Sequence, residues 1–183
     1  KFNVKGIFLE KPISSNLKQA QEIINICKKN KISLMIDHQR RFDPFYNNIH
    51  QLINQKKIGE IQTINVYYGS GIANTGSHLF DLIRLFFGEI ISLKSNLSKN
   101  NSNNIIDPNF DIRLKLSNEI ICNIIALNYK NYGLFEMDII GSTGRIKLNL
   151  ASNEIEYFKI DNTDSIVYKK LSKSKIALKN SKQ

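Results

Sequence analysis

Two short stretches of this sequence bring together residue types able to move a proton and steady a charge. Glu10-Lys11-Pro12 closes the apolar run Val4 to Leu9, where a parallel strand would open into a ligand crevice. A lysine there can present its ammonium over a sheet edge, as a proton donor or an electrostatic clamp on an alkoxide. By the tripeptide alone, it can equally be a solvated charge pair ahead of a helix. The second stretch, Asn74-Thr75-Gly76-Ser77-His78-Leu79-Phe80-Asp81, places His78 four residues after Asn74 and three before Asp81. If helical geometry already begins near Asn74, all three crowd one end of the helix. Asn74 or Thr75 is the expected N-cap, and the helix dipole near that cap favours an uncharged, proton-accepting imidazole. Alcohol oxidation needs such a base, because the hydroxyl proton must leave as hydride departs from the carbon. The plainer alternative is a partly buried histidine satisfied by a nearby carboxylate.

The elements that must position these residues follow from apolar periodicity. Residues 4–9 read as a buried strand, and Leu17, Ala20, Ile23, Ile24 and Cys27 recur at helical spacing over 16–30. Ile32 to Ile36 forms a second short apolar run. Strand, helix and strand at this spacing make a βαβ unit with parallel neighbours, so Glu10-Lys11 and the segment Asp37 to Arg41 should share the carboxyl rim, where open α/β sheets bind ligands. A helix is expected over 44–57, a strand over 61–68 and another helix over 75–87. Strand-like runs follow near 89–99, 110–117, 119–129, 134–140, 144–150, 154–160 and 164–169. The short turns between them imply an antiparallel sheet. We therefore expect a partial α/β unit over 1–58 and an α+β region over 59–183, divided at Ile58-Gly59-Glu60.

Composition narrows the function classes. Hydrophobic residues make up 42% of the 183, with three prolines and nine glycines, a globular balance and not that of a linker. The net charge is +10, but six lysines and no acid lie in 169–183, and the remaining excess forms no basic stripe. Nucleic acid is not an expected partner. No apolar run approaches a membrane span and no targeting peptide is legible, so no membrane partner and a cytoplasmic location are expected. Cys27 and Cys122 read as reduced core thiols. His38, His50 and His78 lack metal-ligand spacing, and no metal site is expected. Gly69-Ser70-Gly71 mimics a dinucleotide fingerprint, but Gly76 lies too far along to complete it.

Together these residues resemble the glucose-fructose oxidoreductase, inositol dehydrogenase and rhizopine-catabolism family (Gfo/Idh/MocA). Phe8-Leu9-Glu10-Lys11-Pro12 is similar to its Glu-Lys-Pro motif, and Ser33 to Phe42 to its next strand and arginine-bearing exit. Gly76-Ser77-His78-Leu79-Phe80-Asp81 resembles its Gly-x-His-x-x-Asp helix start, and Ile140-Gly141-Ser142-Thr143-Gly144-Arg145-Ile146 its late Gly-x-x-Gly turn. The resemblance implies the C-terminal remnant of a Rossmann domain followed by an open antiparallel-sheet α/β substrate domain. It further implies an NAD(P)-dependent dehydrogenase, with NAD or NADP as cofactor and a hydroxyl of a sugar, nucleotide-sugar or cyclitol as substrate.

On that resemblance Lys11 and His78 are the catalytic pair, Asn74 and Asp81 bind substrate, and Glu10, Lys11, Pro12 and Arg41 face the cofactor. Asn74 stands where the family has an acid, and it cannot take a proton. Gln39 stands where asparagine is frequent. The short link between Tyr68 and Asn74 implies a more open site. The Gly-rich phosphate turn and ribose-binding acid of the family do not occur ahead of Glu10, so the chain by itself is expected to hold NAD weakly and to be inactive. Apolar residues on both faces of Ile120-Ile121-Cys122-Asn123-Ile124-Ile125 imply a homo-oligomer through the sheet. The alternative function is a non-catalytic oligomerisation or carbohydrate-binding module on the same scaffold.

Overall fold

The computed structural model describes residues 3–100, 106–161, 168–176 and 178. They fall into two compact units, Lys1–Phe42 and Asp43–Gln183. In the first unit, β1 (Gly6–Leu9) and β2 (Ser33–Ile36) pair in parallel across α1 (Leu17–Lys29), with Gly6 opposite Ser33 and Leu9 opposite Ile36. Helix α1 begins where the Asn16 side chain accepts from the Gln19 amide at 2.9 Å, satisfying one of the first-turn donors. Its last turn holds Lys28 and Lys29, which suits the negative end of the helix dipole. The expected βαβ crossover is present, but β1 is not a buried strand: Phe8 is 65% exposed and Met35 41%. A parallel pair buries its side chains only when both faces are covered, and among the described residues α1 is the one α-helix of this unit.

The second unit is an eight-stranded sheet in the order β10-β9-β8-β7-β3-β6-β5-β4. The strands are β3 (Ile61–Tyr68), β4 (Ile90–Leu97), β5 (Phe110–Leu116), β6 (Ile121–Ala126), β7 (Glu136–Gly141), β8 (Gly144–Asn149), β9 (Glu154–Ile160) and β10 (Leu171–Ser174). Helices α2 (Pro44–Asn54) and α3 (Ser77–Phe87) pack against one face. The sheet departs from the all-antiparallel expectation at one place, where β3 inserts between β6 and β7, parallel to the first and antiparallel to the second. Hairpin-length turns specify only neighbouring pairs, whereas the place of β3 is set by burial, since Ile64, Val66 and Tyr68 point into the core. The expected strand over 164–169 falls largely on residues outside those described.

The units divide after Phe42 and not at 58. Asp43 caps α2 by accepting from the Phe45 amide at 2.7 Å, and Phe45, Tyr46, Ile49, Leu52 and Ile53 all join the core of the sheet unit. The amphipathic face of α2 thus belongs to the sheet it covers. On the opposite face Asn65, Tyr67, Asn123 and Ile125 are half-buried or exposed, while Asp138 beside Asn65 is buried. The Asn123 amide donates to Asn65 at 3.0 Å there, and Arg145 forms a two-bond pair with Asp138 at 2.7 and 2.6 Å. Among the described residues no helix is long and apolar enough to cross a membrane.

Core burial has a pH consequence. Cys122 is fully buried on β6, and desolvation pushes its thiol up from 9.0 to about 12. The unfolded thiol ionises first, so this contribution is intact below about pH 9 and is lost as pH rises towards 12, by up to about 1.4 kcal/mol per pH unit. Burial also raises Tyr68 and Tyr157, whose contributions are likewise lost in alkali. In thermal melts at about pH 8 and about pH 10.5, Cys122→Ala should reduce the alkaline loss of Tm; a slope equal to wild type would remove Cys122 as a cause.

Candidate functional site

The candidate residues occupy two clusters, one in each unit. In the first, the ends of β1 and β2 are tied together, since the Asp37 amide donates to the Leu9 carbonyl at 2.8 Å. Glu10-Lys11-Pro12 and Asp37 to Arg41 therefore leave the sheet on one edge, as parallel strands must. Lys11 is half-buried, as is Arg41 in the short 3-10 turn Gln39–Arg41, while Glu10 and Pro12 are exposed. The Lys11–Pro12 peptide is cis. Proline keeps Lys11 out of helical geometry, and α1 starts only at Leu17.

The second cluster lies on a helical run longer than the sequence suggests. A π-helical turn, Gly71–Gly76, leads directly into α3, so Asn74, His78 and Asp81 sit on one continuous helical segment. Asn74 is exposed, while His78 and Asp81 are half-buried. The cap is not Asn74 or Thr75. Two residues from the loop before β5 do that work: Asp107 accepts from the Ala73 amide at 2.7 Å and the Asn74 amide at 2.9 Å, and Asn109 accepts from the Gly71 amide at 2.9 Å. The Pro108 carbonyl takes the Ile72 amide at 3.1 Å. Four successive N–H groups, which a helix start leaves without intrahelical partners, thus all find acceptors on one downstream loop.

This geometry explains Gly69-Ser70-Gly71 without a nucleotide. Ser70 and Gly71 have positive φ, 66° and 92°, and a Cβ on Gly71 would collide with the Asp107 carboxylate. Glycine is required so that this carboxylate can reach the turn. A phosphate finds a carboxylate already in its place. The sequence held no local signal for Asp107 or Asn109, because their partners lie more than thirty residues upstream. Among the described residues no group of three His, Cys, Asp or Glu could hold a metal ion.

The late Gly-x-x-Gly turn has a packing cause. Gly141, Ser142, Thr143 and Gly144 wrap the segment at Ile58, with the Thr143 amide donating to the Ile58 carbonyl at 2.9 Å and the Ser142 amide to the Glu60 carbonyl at 2.8 Å. This turn braces the entry to β3, whose exit leads into the π-helical turn through Gly69 and Ser70 alone.

Parts of the chain are similar to known proteins. Residues 67–147 match the model of the GFO/IDH/MocA C-terminal domain, a span running from the end of β3 through His78 and the Gly-x-x-Gly turn. Trans-1,2-dihydrobenzene-1,2-diol dehydrogenase of Xenopus tropicalis is 39% identical over 67 residues, covering 37% of this chain and 20% of that protein. Inositol 2-dehydrogenase of Rhizobium meliloti is 26% identical over 99 residues, covering 46% of this chain and 30% of that protein. Among solved structures, levoglucosan dehydrogenase in complex with NADH and L-sorbose superposes with a TM-score of 0.73 at 15% identity, over 92% of this chain and 54% of that one. The chain spans about half or less of the proteins it matches.

Proposed function

Because residues 67–147 match the GFO/IDH/MocA C-terminal domain, we propose that the intact protein is an NAD(P)-dependent dehydrogenase of a sugar, nucleotide-sugar or cyclitol hydroxyl. One observation carries the reading: His78, half-buried at the start of α3, lies inside the segment that matches the family. It is the proposed base for the hydroxyl proton. Lys11 steadies negative charge on the reacting oxygen as that proton leaves. Asn74 and Asp81, on the same helical segment, orient the hydroxyls of the substrate. Asn74 offers an amide where an acid would add a second proton acceptor, so His78 receives the proton directly and hands it to solvent.

The rim formed by β1 and β2 suits the nicotinamide end of the cofactor. Its two strand ends open on one edge, joined by the Asp37 to Leu9 hydrogen bond, and Lys11 brings a half-buried cation there. Glu10, Pro12 and Arg41 complete this wall. When bound, the cofactor accepts or returns the hydride. The sheet face carrying Asn65, Tyr67, Asn123 and Ile125 is the proposed surface for self-association.

The test is fluorescence titration of the full-length protein with NADH and NADPH, followed by turnover assays with myo-inositol, levoglucosan, trans-1,2-dihydrobenzene-1,2-diol and a UDP-sugar acid. At least one nucleotide should bind, and at least one alcohol should reduce NAD or NADP with a KM in the range of about 1 μM to 1 mM. A stable oligomer that binds neither nucleotide would instead favour a non-catalytic module.

A further inference from the structure

We propose that Asp107, supported by Asn109, is a positioning residue for the His78 site: it holds the π-helical turn that carries Asn74 and from which α3 sets out. The inference rests on the dehydrogenase reading above and adds a residue that the sequence motifs do not contain. Its basis is the convergence of hydrogen bonds on this loop. Both carboxylate oxygens of Asp107 are engaged, one by the Ala73 amide at 2.7 Å and the other by the Asn74 amide at 2.9 Å. A carboxylate receiving two backbone N–H groups is a strong and directional anchor. With both oxygens so engaged, Asp107 fixes the turn.

The loop that carries Asp107 is itself pinned to the sheet. Asn109 is 1% exposed. Its oxygen accepts from the Gly71 amide at 2.9 Å, and its amide donates to the Asn100 carbonyl at 3.2 Å. The Ser98 amide donates to the Asn109 carbonyl at 3.0 Å. One residue on, Phe110 and the Tyr68 hydroxyl exchange two bonds, at 2.8 and 3.0 Å. The end of β3, the start of β5 and the π-helical turn are thereby held in one register by buried polar groups, which are costly to leave unmade. Gly71 is the matching concession, since any side chain there would displace the carboxylate.

The π-helical turn needs this external support. The π-helix is rare and appears mostly as single turns, frequently at functional sites. Without Asp107, the amides of Ala73 and Asn74 lose their acceptors and the turn can retighten towards α geometry. That change would rotate Asn74 relative to the helix that follows. A displacement of about 1 Å at a reacting centre can cost on the order of a hundredfold in rate.

The test uses the full-length enzyme with two variants. Asp107→Asn removes one acceptor and the charge, and Asp107→Glu keeps the charge but moves both oxygens. Each should lower kcat roughly ten- to a hundredfold on the best substrate of the panel while leaving the NADH dissociation constant within about twofold. A role limited to stability would instead leave kcat per folded molecule unchanged. Hydrogen exchange gives a reading independent of turnover: the amides of Ala73 and Asn74 should exchange faster in both variants. Wild-type kcat in either folded variant, or unchanged exchange at both amides, would overturn the proposal. If His78→Ala also retained full turnover, the dehydrogenase site itself would fall; if only the Asp107 variants did, the site would stand without its proposed anchor.

Discussion

On the proposed dehydrogenase reading, His78→Ala in the intact protein should lower kcat by about 10² to 10⁴, the range over which a positioned general base contributes. The acid limb of the kcat/KM profile against pH should disappear with it, because that limb reports protonation of the free enzyme's base. His78 is only half-buried at the surface end of α3, whereas Leu79, Leu82 and Ile83 are fully buried and make the helix's core contacts. The variant should therefore fold, and its NADH affinity should persist. Lys11→Met, which keeps the length of the chain but removes the charge, should depress kcat by a further independent route, on the order of 10² to 10³ for the loss of one electrostatic donor. Near-wild-type turnover in both variants would end the assignment of this pair.

Gly141→Val should damage the fold severely. A Cβ at Gly141 would fall on the carbonyl of Ile58, which is backbone and cannot swing aside. Ile58 is 1% exposed and its carbonyl already accepts from the Thr143 amide at 2.9 Å, so relieving the clash also breaks that bond. Overpacking of this kind costs about 1–3 kcal/mol, occasionally more. A loss near the upper figure corresponds to a fall in Tm of about 6–12 °C for a chain of this size. Gly144→Ala should act in the same direction, because its Cβ would lie 2.6 Å from the Phe158 carbonyl. Gly6→Ala is the control: the nearest atom to its Cβ is 3.7 Å away, and its Tm should stay close to wild type. Equal Tm values for Gly6→Ala and Gly141→Val would show that the turn yields without cost.

Much of the scaffold was legible because its signals are local. The spacing of Leu17, Ala20, Ile24 and Cys27 specifies a helix whatever surrounds it, and alternation in Gly144 to Asn149 specifies a strand. The short turns before and after Gly144 specify antiparallel neighbours. Residue type also marked Lys11 and His78 as candidates, since a lysine at a strand exit and a histidine at a helix start are positions with chemical use. Most described elements lie within about two residues of the expected limits; α2 ends at Asn54 and not at 57, β6 ends at Ala126 and not at 129, and β10 (Leu171–Ser174) was not expected at its place.

What remained hidden depends on contacts between distant parts of the chain. The parallel pairing of β3 with β6 joins Ile64 to Cys122, and nothing in either strand names its partner. The face of α2 was clear, but which body it would cover was not, so the break between the units falls after Phe42. The cap of the His78 segment is the sharpest case. Asn74 and Thr75 are good capping residues in isolation, yet Asp107 and Asn109 take the amides because the sheet delivers their loop to that point. Sequence by itself determined the elements, the order of the motifs and the residue types able to move a proton. The tertiary structure alone decided which acceptor holds the turn beneath Asn74, since propensity acts over a few residues whereas a hydrogen bond needs only proximity in space.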